Sequence, residues 1–426
     1  MKWLVNADGY LKNRDSKTDT DVKASAAINA DGHFKNRDSK TDLKYLSLMD
    51  VNTIQKVRQF HKSFPQYDVT PLRSLKNLSA LLGVGGIYVK DESYRFGLNS
   101  FKALGSTFAL ASFIAETTNR SVWDLDYKTL TSPEMKKELG DFTFFATTDG
   151  NHGRAVAWAA SQIGQKSVIY MPKGSPAVKL ENIRREGAEA HISDKNYDDT
   201  IRFTAALAQE TPRGVIVQDT AWEGYYDIPG WIMQGYSVMA HEACEQLNDY
   251  GVKPTHMLIQ AGTGAFAGSA LGYAANLYGK DCPTTIVVEP YVADCHYRSI
   301  DNGKITNISG NMSTIMEGLA CGEPNIISWE ILKAFSSYFV SMEDACAARG
   351  VRVLGAPLAG DPRIISGESG ASAMGCLMEI LTNFKELKEQ AGIDHNSHIL
   401  LFSTEGDTNP ESYRQITWDG KFPCGE

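Results

Sequence analysis

From about Leu43 onward, short runs of β-branched and aromatic residues alternate with helix-length stretches, and this alternation limits the fold more than any other feature. Strand candidates are residues 86–90, 142–148, 166–171, 189–193, 214–218, 256–260, 286–289 and 398–403. Residues 98–117, 151–163, 177–186 and 199–210 read as helices between them. Strands separated by helices of this length imply an α/β fold of parallel sheets with crossover helices. Ligands in such sheets bind at the carboxyl ends of the strands, so chemistry is expected just after each strand.

Composition narrows the function. The chain has 426 residues, enough for two or three domains. Its 42 Lys+Arg against 51 Asp+Glu leave a net charge of −9. An acidic chain without a basic stripe is a poor nucleic-acid binder. No apolar run approaches the ~18 residues of a membrane span. The apolar stretch Trp3 to Val5 is too short for a signal-peptide core, so a cytosolic protein is expected. The seven cysteines (Cys244, Cys282, Cys295, Cys321, Cys346, Cys376 and Cys424) form no CxxC pair. That argues against a metal site and for free thiols in a reducing compartment. Cys295 and Cys321 both sit in turn-rich sequence and are near enough in pattern to meet in space.

Before Leu43 lies a direct repeat. Residues 6–19 read NADGYLKNRDSKTD and residues 29–42 read NADGHFKNRDSKTD. Two copies are too few for a solenoid. The polar, turn-favouring composition predicts a terminal arm over residues 1–42, either a bare duplication or a subunit contact.

Four segments carry candidate chemistry. In KDESYRFGLNSFKALG, a strand ends and Lys102 opens a helix among Phe96, Leu98, Phe101 and Leu104. A lysine buried there has a lowered pKa and can act as an amine nucleophile forming a Schiff base; a solvated lysine is the alternative. ATTDGNHGR offers Asp149 as a proton acceptor and Asn151 as a donor to a ring oxygen, or simply a capped turn. QAGTGAFAG follows a strand and opens a helix, so its backbone N–H groups suit a phosphate. It equally fits a dinucleotide fingerprint, with Glu289 as ribose-binding acid, or a tight turn. LLFSTEGD delivers Ser403 and Thr404 at a strand end. A neutral hydroxyl facing a pyridine nitrogen leaves that nitrogen unprotonated; capping a turn is the other reading.

Taken in order, these segments resemble the fold-type II pyridoxal-phosphate enzymes of the tryptophan synthase β family. Within that family, KDESYRFGLNSFK, TTDGNHGRAVAWAA, VIYMPKGS, NYDDTIR, VQDTAWEGY, WIMQGY, TIMEGLACGEPN, DPRIISGESGA and FSTEGDTNP are similar to the diaminopropionate ammonia-lyases, from roughly Ser63 to the C-terminus. The arm falls outside the resemblance, and Ala177–Arg185 is less typical. The resemblance implies pyridoxal 5′-phosphate as cofactor and a small amino-acid substrate. It implies Lys102 as the Schiff-base lysine and Asn151 at the cofactor's phenolic oxygen. Gly262, Thr263, Gly264, Ala265 and Phe266 would hold the phosphate. Ser403, preferred over Thr404, would face the ring nitrogen. Asp149 and Asp219 would be acids near the substrate, although Asp219 also reads as a loop carboxylate with local hydrogen bonds. Cys295 and Cys321 fall where the family can carry a cysteine pair near the entrance.

The architecture so implied has two α/β domains with the cofactor in the cleft between them. Residues 43–138 and 227–426 would form the large domain, and 139–226 a small inserted one. A homodimer is expected, as is elimination of ammonia from 2,3-diaminopropionate, L and D, to pyruvate and two ammonia. Three rivals remain: a serine or threonine ammonia-lyase of the same fold, a non-catalytic metabolite-binding protein, and a dinucleotide oxidoreductase.

Overall fold

The computed structural model describes residues 1–7, 10–14 and 44–423. Its strands are β1 (Lys2–Ala7), β2 (Tyr10–Arg14), β3 (Leu72–Ser74), β4 (Gly86–Asp91), β5 (Thr143–Thr147), β6 (Lys166–Met171), β7 (Glu189–Ile192), β8 (Gly214–Ile216), β9 (His256–Gln260), β10 (Thr284–Pro290), β11 (Tyr338–Met342) and β12 (His398–Ser403). They form an eight-stranded sheet in the order β2-β1-β11-β10-β9-β12-β4-β3 and a four-stranded sheet in the order β7-β6-β5-β8. The smaller sheet is parallel throughout. In the larger one, β11, β10, β9, β12 and β4 run parallel, and the antiparallel pairs are confined to the two margins. The central strands β9 and β12 (HMLIQ, HILLFS) are buried along almost their whole length, as strands covered on both faces must be.

Each strand read from the sequence is present, with ends shifted by a residue or two. The helix expected over 98–117 starts later, at Ala103. Phe96 (φ 51°), Gly97 (φ 71°) and Asn99 (φ 60°) adopt left-handed backbone that interrupts helical geometry. Conversely, the helix expected from residue 199 begins at Tyr197, because the Asn196 side chain accepts the Asp199 N–H and caps it there.

Strands β1, β2, β3 and β11 carried no sequence signal. Lys2–Ala7 belongs to the stretch read as a polar arm, yet it pairs antiparallel with β11 and buries Trp3 and Leu4. Its partner lies more than 330 positions away, so only the assembled sheet specifies the strand. Most of the direct repeat, including the whole second copy, lies outside the described residues. Among the described residues, no helix is long and apolar enough to cross a membrane.

A buried charge network fixes the segment that leads to Lys102. Glu242, on the helix Asp227–Asp249, accepts from Lys90 Nζ at 2.7 Å and from both terminal nitrogens of Arg95 at 3.0 and 2.7 Å. Arg95 also binds Glu92, and Tyr67 donates to Glu242 at 2.5 Å. Lys90, Glu92, Arg95 and Glu242 are all fully buried. Burial opposes the Glu242 charge, but Arg95 and Lys90 overcome it and hold the carboxyl well below the usual range. Substituting Glu242→Ala leaves two buried cations short of a partner. The expected loss is about 3–5 kcal/mol of stability, measured as a fall in the urea unfolding midpoint.

Candidate active site

The loops that follow β4, β5, β8, β9 and β12 converge on one cavity. Its walls include Lys102, Asp149, Asn151, His152, Asp219, the 262–266 loop, Thr404 and Glu405. Strands β9, β12 and β4 are adjacent in the large sheet, so the glycine loop, Thr404 and Lys102 arrive side by side. Asp149, Asn151 and Asp219 come from the smaller sheet opposite.

Lys102 precedes the first residue of the helix Ala103–Thr117. Its ammonium forms an ion pair with Asp219 Oδ2, to which the Tyr236 hydroxyl also donates at 3.2 Å. Asp219 is only 2% exposed. Burial alone would push its carboxyl up, but Lys102 and the Tyr236 hydroxyl push it down to about 2. The lysine departs from expectation here. Burial lowers its pKa, as anticipated, but Asp219, with Asp149 adding to it, outweighs that effect and leaves it above the ordinary lysine value. Lys102 is therefore held as an ammonium by its partner, a carboxylate from the opposite sheet that the lysine's own segment does not contain.

Asp149 Oδ2 is buried and has no hydrogen-bond partner. Asn151 is the first residue of the helix Asn151–Gln162, and its amide donates to Glu405 Oε2 at 2.5 Å. Thr408 donates to the same oxygen at 2.9 Å.

The loop after β9 has the shape of an anion cradle. The helix Ala265–Tyr278 starts here, and its leading N–H groups have no intrahelical acceptors. Gly264 has φ 91°, and a Cβ at that position would lie 2.4 Å from His296 Nε2. A Cβ on Gly262 would lie 2.9 Å from the Gly318 carbonyl. Both positions therefore require glycine. The dinucleotide alternative loses its acid. Both oxygens of Glu289 are bound, Oε1 to His296 N and Nδ1 at 2.9 Å and Oε2 to Tyr297 N at 2.7 Å, and the residue is fully buried.

Ser403 is not on the cavity wall. Its hydroxyl donates to Ser366 at 2.8 Å on the far side, whereas Thr404 lines the cavity and accepts from Gln260 Nε2 at 3.0 Å. Successive residues of a strand point to opposite faces, which puts the Ser403 hydroxyl on the face away from the cavity and that of Thr404 toward it. Cys295 and Cys321 are both buried free thiols beside Gly262, and burial raises the pKa of each well above the ordinary range.

Four residues of the site went unassigned in the sequence: His152, Tyr197 and Glu405, which line the cavity, and Tyr236, which donates to Asp219 behind them. All lie inside the strings NHGR, NYDD, WIMQGY and STEGD, but nothing local distinguishes them from turn or core residues. His152 donates from Nε2 to the Val217 carbonyl at 2.8 Å, which leaves Nδ1 without a partner 4.0 Å from Asp219. Burial holds its imidazole below the usual value, hence neutral.

An amine nucleophile, an amide, a neutral hydroxyl and an anion cradle around one cavity fit a phosphorylated carbonyl cofactor. Comparison with known proteins agrees. The pyridoxal-phosphate dependent enzyme family matches residues 64–401. A diaminopropionate ammonia-lyase of Salmonella typhimurium is 49% identical over 382 residues, covering 88% of this chain and 94% of the relative. The crystal structure of the holo diaminopropionate ammonia-lyase of Escherichia coli superposes with a TM-score of 0.84 at 46% identity, covering 89% of this chain and 95% of that one. Another structure of the E. coli enzyme, with an aminoacrylate–pyridoxal-phosphate azomethine reaction intermediate, gives a TM-score of 0.82 at 46% identity over 88% and 94% of the two chains. The chain belongs to the pyridoxal-phosphate dependent enzymes of fold type II and, among them, to the diaminopropionate ammonia-lyases.

Proposed function

We propose that this chain converts 2,3-diaminopropionate to pyruvate and two ammonia by α,β-elimination, using pyridoxal 5′-phosphate. The observation that carries the reading is the meeting of Lys102 and Asp219, from opposite sheets, beside an anion-binding helix N-terminus. Gly262, Thr263, Gly264, Ala265 and Phe266 hold the phosphate, and Asn151 reaches the phenolic oxygen. Thr404 takes the ring-nitrogen position first given to Ser403, because its hydroxyl is the one on the cavity wall. When bound, the cofactor supplies an electron sink that acidifies the substrate's Cα proton.

The chain's own groups move the protons. Lys102, as the neutral amine, takes the Cα proton of one enantiomer. Asp149, with its unpartnered oxygen at the wall, takes that of the other. Asp219 stays anionic and steadies the proton that Lys102 has taken, which then passes to the departing β-amine. The carboxylates at 149 and 219 also suit a substrate with a second cationic amine, a feature that serine lyases of this fold do not need. The reading extends to a cytoplasmic homodimer and to a small domain over residues 139–226, which contains all four strands of the smaller sheet.

Product stoichiometry tests the activity. Diaminopropionate should yield two ammonia per pyruvate, with serine much slower. Faster serine turnover with one ammonia per pyruvate would move the protein to the hydroxy-amino-acid lyases. Lys102→Ala should abolish the visible band of the lysine-bound cofactor, and an unchanged spectrum would remove Lys102 from its role. Asp149→Asn should lower kcat/KM for the D-isomer by about 10²–10⁴ and the L-isomer far less; equal losses would refute the two-base scheme.

A further inference from the structure

We propose that Lys179 is a positioning residue: anchored across the cleft by Glu317, its ammonium sets the charge and placement of Asp149. The inference rests on the reading of Asp149 as a base.

Lys179 lies on the helix Ala177–Arg185, on the small-sheet side, and is only 6% exposed. Its Nζ is 2.5 Å from Glu317 Oε2, in the short Glu317–Leu319 turn. The lysine stem runs along Gly150, between Asp149 and Asn151. A Cβ on Gly150 would lie 2.7 Å from Lys179 Cδ, and Gly150 has φ 148°. The backbone that presents Asp149 is thus shaped around this side chain. On the other flank, a Cβ on Gly318, next to Glu317, would lie 3.4 Å from Asp149 Oδ2. Lys179, Glu317, Gly318 and Asp149 therefore form one continuous wall. Gly318 lines the catalytic cavity, Glu317 lines an outer cavity of about 320 Å³, and Asp149 and Tyr197 line both.

The charges around Asp149 single out Lys179. Lys102, His152, Tyr197, Tyr236, Cys321 and Glu405 all interact with it from the surrounding elements, as does Lys179. Lys102 is already paired with Asp219, and His152 is neutral. Glu405 and Glu317 bring two more carboxyl groups to Lys179, the cation they share with Asp149. Burial opposes its own charge, but Glu317, Asp149 and Glu405 together raise its pKa, so it is cationic throughout the working range.

The test is the pH dependence of kcat/KM for D- and L-2,3-diaminopropionate in the holoenzyme. A base must be unprotonated, and loss of a nearby cation raises a carboxyl pKa. Lys179→Met should therefore move the acid limb for the D-isomer up by about one pH unit, a tenfold loss on that limb, and leave the L-isomer limb in place. Lys179→Arg should restore the wild-type limb. Glu317→Gln releases the ammonium from its anchor and should move the D-isomer limb the same way, to higher pH. A D-isomer limb unmoved in Lys179→Met, or moved together with the L-isomer limb, would overturn the proposal. Should Lys179→Met fail to fold, an unmoved limb in Glu317→Gln would overturn it alone. Equal loss of both isomers in Asp149→Asn would instead defeat the two-base reading, a separate result.

Discussion

The buried ion pair between Lys102 and Asp219 is the constraint on which the site depends. Each charge has lost most of its water, so neither is tolerable without the other. Lys102 follows β4 of the eight-stranded sheet and Asp219 follows β8 of the four-stranded sheet. Keeping the pair together therefore keeps the carboxyl edges of both sheets facing one another. It also keeps Lys102 protonated, reversing what burial alone would do.

Behind this pair stands a second, purely structural set of buried charges. Glu242 satisfies Lys90 and Arg95, which flank the irregular turns leading to Lys102. The left-handed residues in that turn deny it regular helix, so its position comes from these charge-assisted bonds and from aromatic packing of Phe96 against Phe64 and Trp158. The two lysines thus differ in what remains around them. Lys90 has every donor engaged in a closed network, whereas Lys102 faces a cavity. On the far wall, Lys179 and Glu317 repeat the pattern, a cation from one sheet's side held by an acid from the other.

The parts of the site that could be read from the sequence were those whose chemistry is local. The 262–266 loop, Lys102, Asp149 and Asn151 each follow a strand that alternation alone locates, and the long matching strings specified the cofactor. Ser403 and Thr404 show the limit. Adjacent strand residues face opposite ways, and which face is inward depends on what packs there; Ser366 takes one hydroxyl and the cavity the other. Glu289 shows the same limit in reverse, since its fit to a dinucleotide pattern vanishes once His296 and Tyr297 are seen to engage both oxygens.

The sequence by itself determined the α/β class, the order of the parallel strands' loops along the chain and the residue types of a pyridoxal-phosphate site, because periodicity and turn chemistry act over a few residues. Only the tertiary structure decided the strand Lys2–Ala7 beside β11, the raised lysine, the inward threonine and the carboxylates gathered around Lys179. Each of these is set by groups dozens to hundreds of positions apart, and burial and Coulomb forces act through space rather than along the chain.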